Sequence, residues 1–164
     1  MPSNNLLRIY LRDHHAAAVA GTELAKRSTK SNAGTQFEPL LNELRNELLE
    51  DLRSLEEIMS RLGISTAKGK DGAMWMAEKF GRLKLNGSFT SYSPLSRVIE
   101  FEGLALNSLG NKGVWSALAQ VEHPALDADE LQRLEQRADE QGRRVAEARR
   151  EAVRMAFASD QATT

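Results

Sequence analysis

The chain contains no cysteine, and this absence removes several classes of site at once. Without a thiol there are no disulfide bonds, thiolate metal sites, iron–sulfur clusters or cysteine nucleophiles. Aromatic residues make up only 5% of the 164 residues. No run of about 18 apolar residues is present to span a bilayer. We therefore expect no membrane-spanning segment, and any bound metal would need nitrogen and oxygen ligands.

The sequence also lacks an excess of charge of either sign. Lys and Arg number 22 and Asp and Glu number 23, so the net charge is −1. Because nucleic-acid binding requires basic surface, we expect no nucleic-acid partner. Residues 1–5 lack the basic region and apolar run of a secretory signal, so we expect a cytoplasmic protein. Neither a Gly-x-Ser-x-Gly elbow nor a Gly-rich nucleotide loop occurs, and the sequence leaves open whether the chain is an enzyme.

Four long segments carry the helical period of apolar residues, and none shows a convincing two-residue alternation. The predicted helices span residues 5–27, 39–62, 94–119 and 129–158. Ser93 is a suitable N-cap with Pro94 behind it, and Gly63 is a suitable helix stop. The length predicts one domain over residues 1–158, followed by a flexible tail at 159–164.

The connections between these helices differ in length. The first and third connections have about ten residues, as expected for antiparallel neighbours. The second connection has about 30 residues and contains a helical candidate at 73–85, since a structureless loop of that length would be unusual. The predicted fold is an all-α antiparallel four-helix bundle with a long second-to-third helix crossover containing a short helix.

Each predicted helix places one polar residue on its otherwise apolar face. For the third helix, the predicted inward residues are Leu95, Ile99, Leu106, Leu109 and Gly113. The four polar residues, each near the middle of its helix, are His14, Asp51, Glu102 and Gln141, with Glu47 at the edge of the second stripe. Because midpoints share a level in an antiparallel bundle, we expect one buried polar layer. Its charges must pair with each other or with a cation.

Two interpretations of this layer stay open. In the first, the layer is only hydrogen-bonded, for example from Asp51 to His14 and from Gln141 to Glu102, and fixes helix register. In the second, His14, Asp51 and Glu102 bind one divalent metal, supplemented by Gln141 or Glu47. One imidazole with carboxylate oxygens suits iron, manganese or zinc.

Several segments resemble the ferritin-like superfamily. Residues 98–106 (Val-Ile-Glu-Phe-Glu-Gly-Leu-Ala-Leu) are similar to a ferritin-type third helix, and residues 139–143 (Asp-Glu-Gln-Gly-Arg) are similar to its fourth-helix Glu-x-x-His region. Residues 13–25 are similar to uncharacterised bacterial ferritin-like proteins. The resemblance implies a four-helix bundle whose di-iron site uses carboxylates and two Glu-x-x-His pairs.

The chain departs from that pattern, because it contains no Glu-x-x-His and reads Glu140-x-x-Arg143 instead. An arginine cannot ligate a cation, so the metal motifs are degenerate. We expect a non-enzymatic structural or interaction protein without a cofactor. The alternative is a metalloprotein that binds iron, manganese or zinc in the bundle core, with oxidoreductase activity as one option.

Two features bear on partners. The second connection interleaves basic residues with Met, Trp and Phe, a pattern of membrane-surface or partner-binding helices. The basic residues are Lys68, Lys70, Lys79, Arg82 and Lys84, and the apolar ones are Met74, Trp75, Met76 and Phe80. We favour a helix that caps the bundle. The third helix is apolar on a second face (Phe101, Leu104, Trp115, Leu118), which predicts either cover by the crossover or a homodimer through one of these two helices.

Overall fold

The computed structural model describes residues 4–66 and 92–158 and places four α-helices in them. They are α1 (Asn4–Ser31), α2 (Glu38–Arg61), α3 (Pro94–Leu118) and α4 (Ala128–Phe157). The all-α class and the four predicted helices are confirmed, and α1 extends four residues further than predicted. The predicted short helix at 73–85 and the tail at 159–164 lie outside the described residues. None of the four helices is long and apolar enough to cross a bilayer.

The helix ends follow local sequence signals. Ser93 accepts a hydrogen bond from the backbone N–H of Ser96 and completes a capping box with it, and Pro94 occupies the first turn of α3. Asp127 caps α4 by accepting from the backbone N–H of Glu130 at 2.9 Å. Gly63, at φ +67°, takes the left-handed conformation that glycine adopts without strain just after α2.

Neighbouring helices run antiparallel. Thr29 near the end of α1 bonds the carbonyl of Leu41 near the start of α2, whereas His15 bonds Glu56 near the other end of α2. The same reversal relates the other three neighbouring pairs. Their contacts are Tyr10–Gly113 and Asn32–Arg97 for α1–α3, Lys112–Asp139 and Glu102–Arg149 for α3–α4, and Arg61–Glu130 and Glu43–Arg144 for α2–α4.

The second connection joins opposite ends of the bundle. Before it, the Ser65 carbonyl accepts from Arg12 Nε at 3.0 Å, near the start of α1. After it, the Tyr92 hydroxyl accepts from Asn32 Nδ2 at 2.8 Å, just past the end of α1. Arg12 and Asn32 are about 20 positions apart along α1, a rise of about 30 Å at about 1.5 Å per residue. Helices α2 and α3 therefore run in the same direction, as the long second connection predicted.

The core consists of two apolar clusters with a polar level between them. One cluster surrounds Trp115 and Ile58, and the other surrounds Phe101 and Leu44. The residues that separate the clusters along the helices are buried and polar: Asp51 on α2, Ser108 and Asn111 on α3, and Gln141 on α4. A buried polar layer at mid-bundle thus exists.

The predicted inward face of α3 is wrong. Leu106 and Leu109 are 70% and 66% exposed, and Leu95 is 44% exposed. The second apolar face of α3, for which we predicted cover by the crossover or by a homodimer, is the one that points into the bundle. Its residues Phe101, Leu104, Trp115 and Leu118 are all buried. Because α3 is apolar on two faces, periodicity alone cannot choose between them. Burying the face with two aromatic rings removes more apolar surface from water.

Candidate functional site

The centre of the polar level is the Asp51 carboxylate, which is 1% exposed. Its Oδ1 accepts from Arg137 Nε at 2.8 Å and also from Arg137 Nη2. Its Oδ2 accepts from Gln141 Nε2 at 2.8 Å. The third nitrogen of the guanidinium, Nη1, donates to Glu50 at 3.1 Å. Both carboxylate oxygens are therefore hydrogen-bonded, and the charge of Asp51 is balanced by an arginine.

Burial raises the pKa of Asp51 above its ordinary value. The hydrogen bond from Gln141 and the charge and hydrogen bonds of Arg137 act in the opposite direction, and the nearby negative charge of Glu47 adds to the increase. Desolvation dominates, because removing a carboxylate from water disfavours its charged form. The ionised form of Asp51 thus depends on Arg137 and Gln141.

Gln141 is 0% exposed, and its Oε1 has no hydrogen-bond donor among the described residues. Its Nε2 is used by Asp51, so the amide is half satisfied. On α3 the same level is occupied by Ser108, which faces Gly142, the residue after Gln141. A Cβ added at Gly142 would lie 3.7 Å from the Cβ of Ser108. The Ser108 hydroxyl donates within its own helix to the carbonyl of Leu104. The Gln141 amide oxygen is therefore a buried acceptor that the described residues leave unpaired, as is Oδ1 of Asn107, the residue before Ser108 on α3.

The other two predicted carboxylates also pair with arginines. Glu47 accepts from Arg144 Nη2 at 2.5 Å, next to the Asp51 pair on the same helices. Glu102 accepts from Arg149 Nη2 at 2.7 Å and Nε at 3.1 Å, and its side chain is 46% exposed. Glu102 therefore lies at the outer edge of the α3–α4 contact and not in the buried level.

His14 lies away from Asp51. Its neighbour His15 bonds Glu56, which is more than one helical turn beyond Asp51 on α2. The His14 ring is half-buried, with its centroid 4.4 Å from that of Tyr10. Burial lowers the pKa of His14, and the charge of Asp13 acts in the opposite direction. In residues 4–66 and 92–158 no hydrogen bond joins His14 to Asp51.

Of the five predicted site residues, the structure brings Asp51 and Gln141 into contact and places Glu47 nearby. It does not bring His14 or Glu102 to them. The described ranges contain no group of three or more His, Asp or Glu side chains arranged to hold a metal ion. As arranged, these residues do not fit the family's di-iron centre, because each carboxylate already faces an arginine. Binding of a single metal stays a prediction.

Sequence reasoning missed Arg137, the main partner of Asp51. The signal was a seven-residue repeat on α4, where Glu130, Arg137 and Arg144 follow one another on one face. Each of them forms an ion pair with α2, and Arg61–Glu130 is the pair at the far end, at 2.6 Å. The α2–α4 contact thus contains a series of ion pairs along its length.

Two further features lie outside the polar level, at the end of the bundle where α1 ends. Asn32, Tyr92, Arg97 and Glu100 form a hydrogen-bonded network where α1 ends and α3 begins. Burial and the neighbouring Glu100 carboxylate raise the pKa of Tyr92 to about 12. An open groove of about 410 Å³ lies at the α1–α2 loop end of the α2–α4 contact. It is lined by Gln36, Phe37, Leu40, Arg144, Glu147, Ala148 and Glu151.

The chain matches no family model, and no curated protein or solved structure is significantly similar to it.

Proposed function

We propose that this chain is a non-enzymatic structural or interaction protein of the ferritin-like superfamily whose ancestral metal site has been replaced by ion pairs. The observation that carries the proposal is the pairing of every predicted carboxylate ligand with an arginine. Asp51 pairs with Arg137, and Glu47 pairs with Arg144. The guanidinium supplies the positive charge that a metal ion would otherwise supply, and its N–H groups occupy carboxylate oxygens that would bind the metal.

The topology supports the ferritin-like part of the proposal. The four neighbouring helix pairs are antiparallel, and the second connection runs between opposite ends of the bundle. This is the arrangement of a bundle with one long crossover. Polar residues sit at mid-bundle on α2, α3 and α4, where the resemblance places its metal ligands. The arginine of Glu140-x-x-Arg143 points away to pair with Asp139 and Glu140 at the surface.

Two observations support an interaction role: the described residues contain no cluster of metal ligands, and they expose large apolar side chains. Within residues 4–66 and 92–158, no convergent set of three acidic or imidazole groups is present. Large apolar side chains, however, are exposed along α3. A bundle with an ion-paired centre and an exposed apolar face is suited to binding another protein chain.

Metal analysis of protein purified without chelators tests the proposal. We expect iron, manganese and zinc well below one equivalent per chain, unchanged in a His14→Ala/Glu102→Ala variant. A Glu122→Ala/His123→Ala variant, altered in an exposed loop, is the matched control. One equivalent of metal that is lost in the first variant and kept in the control would overturn the proposal. It would establish the alternative, a divalent metal bound in the bundle core.

A further inference from the structure

The contact between α2 and α4, called the α2–α4 seam below, is the loosest of the four neighbouring helix contacts. The backbones of these two helices come close at fewer points than those of any other neighbouring pair in residues 4–66 and 92–158. Long charged side chains span the seam, from Arg61 to Glu130 at one end and from Arg144 to Glu47 towards the other. An open groove of about 410 Å³ enters the seam at the α1–α2 loop end.

The ion pairs at the two ends of the seam keep contact with solvent. Arg144 pairs with Glu43 and Glu47, and all three side chains are partly exposed. Arg61 and Glu130 are also partly exposed. Because water solvates such charges once they separate, each of these pairs adds little to the free energy that holds the two helices together. The ends of the seam are therefore bridged by bonds that water can replace.

At the centre of the seam, buried polar groups also gain from contact with water. The buried Asp51 carboxylate takes its hydrogen bonds from Arg137 and Gln141 on the other side of the seam. The Oε1 of Gln141 and the Nε of Arg144 are buried without a hydrogen-bond partner among the described residues. An unpaired buried polar group is costly, and separation of α2 from α4 returns these groups to water. Their hydration offsets part of the apolar contact that such a separation breaks.

The contact on the opposite side of the bundle, between α1 and α3, is close. A Cβ added at Gly21 of α1 would overlap the Asn107 amide of α3, and Nδ2 of that amide donates to the Ala17 carbonyl at 3.1 Å. At the end of α1, Asn32 accepts from Arg97 Nε of α3 at 2.6 Å. The α1–α3 side is thus packed against the helix backbone, whereas the α2–α4 side is bridged by long side chains.

We propose that the bundle opens along the α2–α4 seam, with the α1–α3 contact as the hinge. In the open state α2 stays packed on α1 and α4 stays packed on α3, since a short loop joins each pair. The ion pairs across the seam separate, and the inner faces of α2 and α4 reach water. Openings below the level of complete unfolding occur where contacts are few and partly solvated. Because salt screens the exposed pairs, ionic strength sets the population of the open state. The opening follows from contacts within the chain and does not depend on the proposed interaction role.

Labelling of single introduced thiols with iodoacetamide tests the opening, because the chain has no cysteine of its own. Ile58 lies two turns after Asp51 on the face towards α4, whereas Met59 is turned towards α1, on the side of Glu56, which bonds His15. Both Ile58 and Met59 are completely buried. We expect the thiol of Ile58→Cys to react at least about 10-fold faster than that of Met59→Cys in the native full chain. Low urea concentrations should accelerate Ile58→Cys less than Met59→Cys, because opening exposes less surface than unfolding. Equal rates with equal urea dependence, as complete unfolding alone would give, would refute the proposal.

Variants of the ion pairs connect the opening to the seam. In the Ile58→Cys chain, Arg144→Met should raise the labelling rate about 3- to 10-fold, since it removes two ion pairs across the seam. Arg143→Met, which removes ion pairs within α4 only, is the matched control and should change the rate by less than about 2-fold. Raising the NaCl concentration from about 0.05 to 0.5 M should also accelerate labelling. If Ile58→Cys does not fold, Leu44→Cys, buried on the same face of α2, replaces it. A rate that neither Arg144→Met nor salt alters would show that these ion pairs do not hold the seam closed, and it would overturn the proposal.

Discussion

Replacing Arg137 with methionine is the most direct perturbation of the ion-paired bundle centre. The Asp51 carboxylate is almost completely buried, whereas the Arg137 side chain is 31% exposed. Methionine retains much of the apolar length of arginine and removes the guanidinium. Asp51 then keeps a hydrogen bond only from Gln141 among its present partners.

Removing one partner of a fully buried ion pair costs about 3–5 kcal/mol. Because Arg137 is close to one third exposed, water can reach the vacated side of the carboxylate and reduce the loss. We expect the free energy of unfolding of Arg137→Met to fall by about 2–3 kcal/mol at pH 7. In a chain of this size, such a loss lowers the melting temperature by roughly 5–10 °C.

The pH dependence separates lost charge pairing from lost packing. Burial raises the pKa of Asp51 above its ordinary 3.8, and Arg137 opposes this increase, so the variant should raise the pKa further. A carboxyl group whose pKa is higher in the folded protein stabilises the fold below its unfolded pKa. That stability is lost as the pH rises through the folded pKa. The deficit of Arg137→Met relative to the wild type should therefore shrink as the pH falls from 7 towards 4.

Urea unfolding followed by circular dichroism at pH 7 and pH 5 measures both effects. Arg143→Met is the matched control, because Arg143 is mostly exposed and pairs with surface carboxylates of its own helix. We expect the control to change stability by less than about 0.5 kcal/mol. A deficit below about 1 kcal/mol at pH 7, or one that is equal at the two pH values, would refute the assignment of Arg137 as the partner on which the Asp51 charge depends.

Three further predictions concern other parts of the bundle. Gly21→Ala should lower the free energy of unfolding by about 1–3 kcal/mol, because the new Cβ would overlap the Asn107 amide. Gly142→Ala should raise the free energy of unfolding by about 0.5–1 kcal/mol, because its Cβ would have ordinary contact distances. Equal effects of the two changes in urea unfolding would contradict the close α1–α3 approach. Asn32→Ala should lower the free energy of unfolding by about 2 kcal/mol in the same assay, since Asn32 is buried and hydrogen-bonded to both Tyr92 and Arg97. A loss below about 0.5 kcal/mol would show that the network adds little to stability. An ultraviolet titration should show Tyr92 ionising near pH 12, a step absent from Tyr92→Phe, and ionisation of both tyrosines near pH 10 would exclude burial of this hydroxyl.

Part of the candidate site followed from sequence, because a polar residue on an apolar stripe must be buried with a partner. This reasoning identified Asp51 and Gln141 and placed them at one level, and the structure joins them at 2.8 Å. It failed for Glu102, because the assigned face of α3 was the outward one. On α3 the residue at the level of Asp51 is Ser108, a small polar side chain that gives little signal in a periodicity search.

The sequence by itself determined the four long helices of the described residues, their approximate ends and their antiparallel contacts. Those properties depend on local signals such as the Ser93–Pro94 cap, and on the length of each connection. Only the tertiary structure decided which face of α3 points inward and which cation balances Asp51. Both outcomes depend on residues far apart in sequence, since Phe101 and Trp115 must fit a core made by the other helices, and Arg137 reaches Asp51 from α4. The near-zero net charge of the chain therefore does not predict which charged side chains form ion pairs, whereas the packing of the four helices determines those pairs.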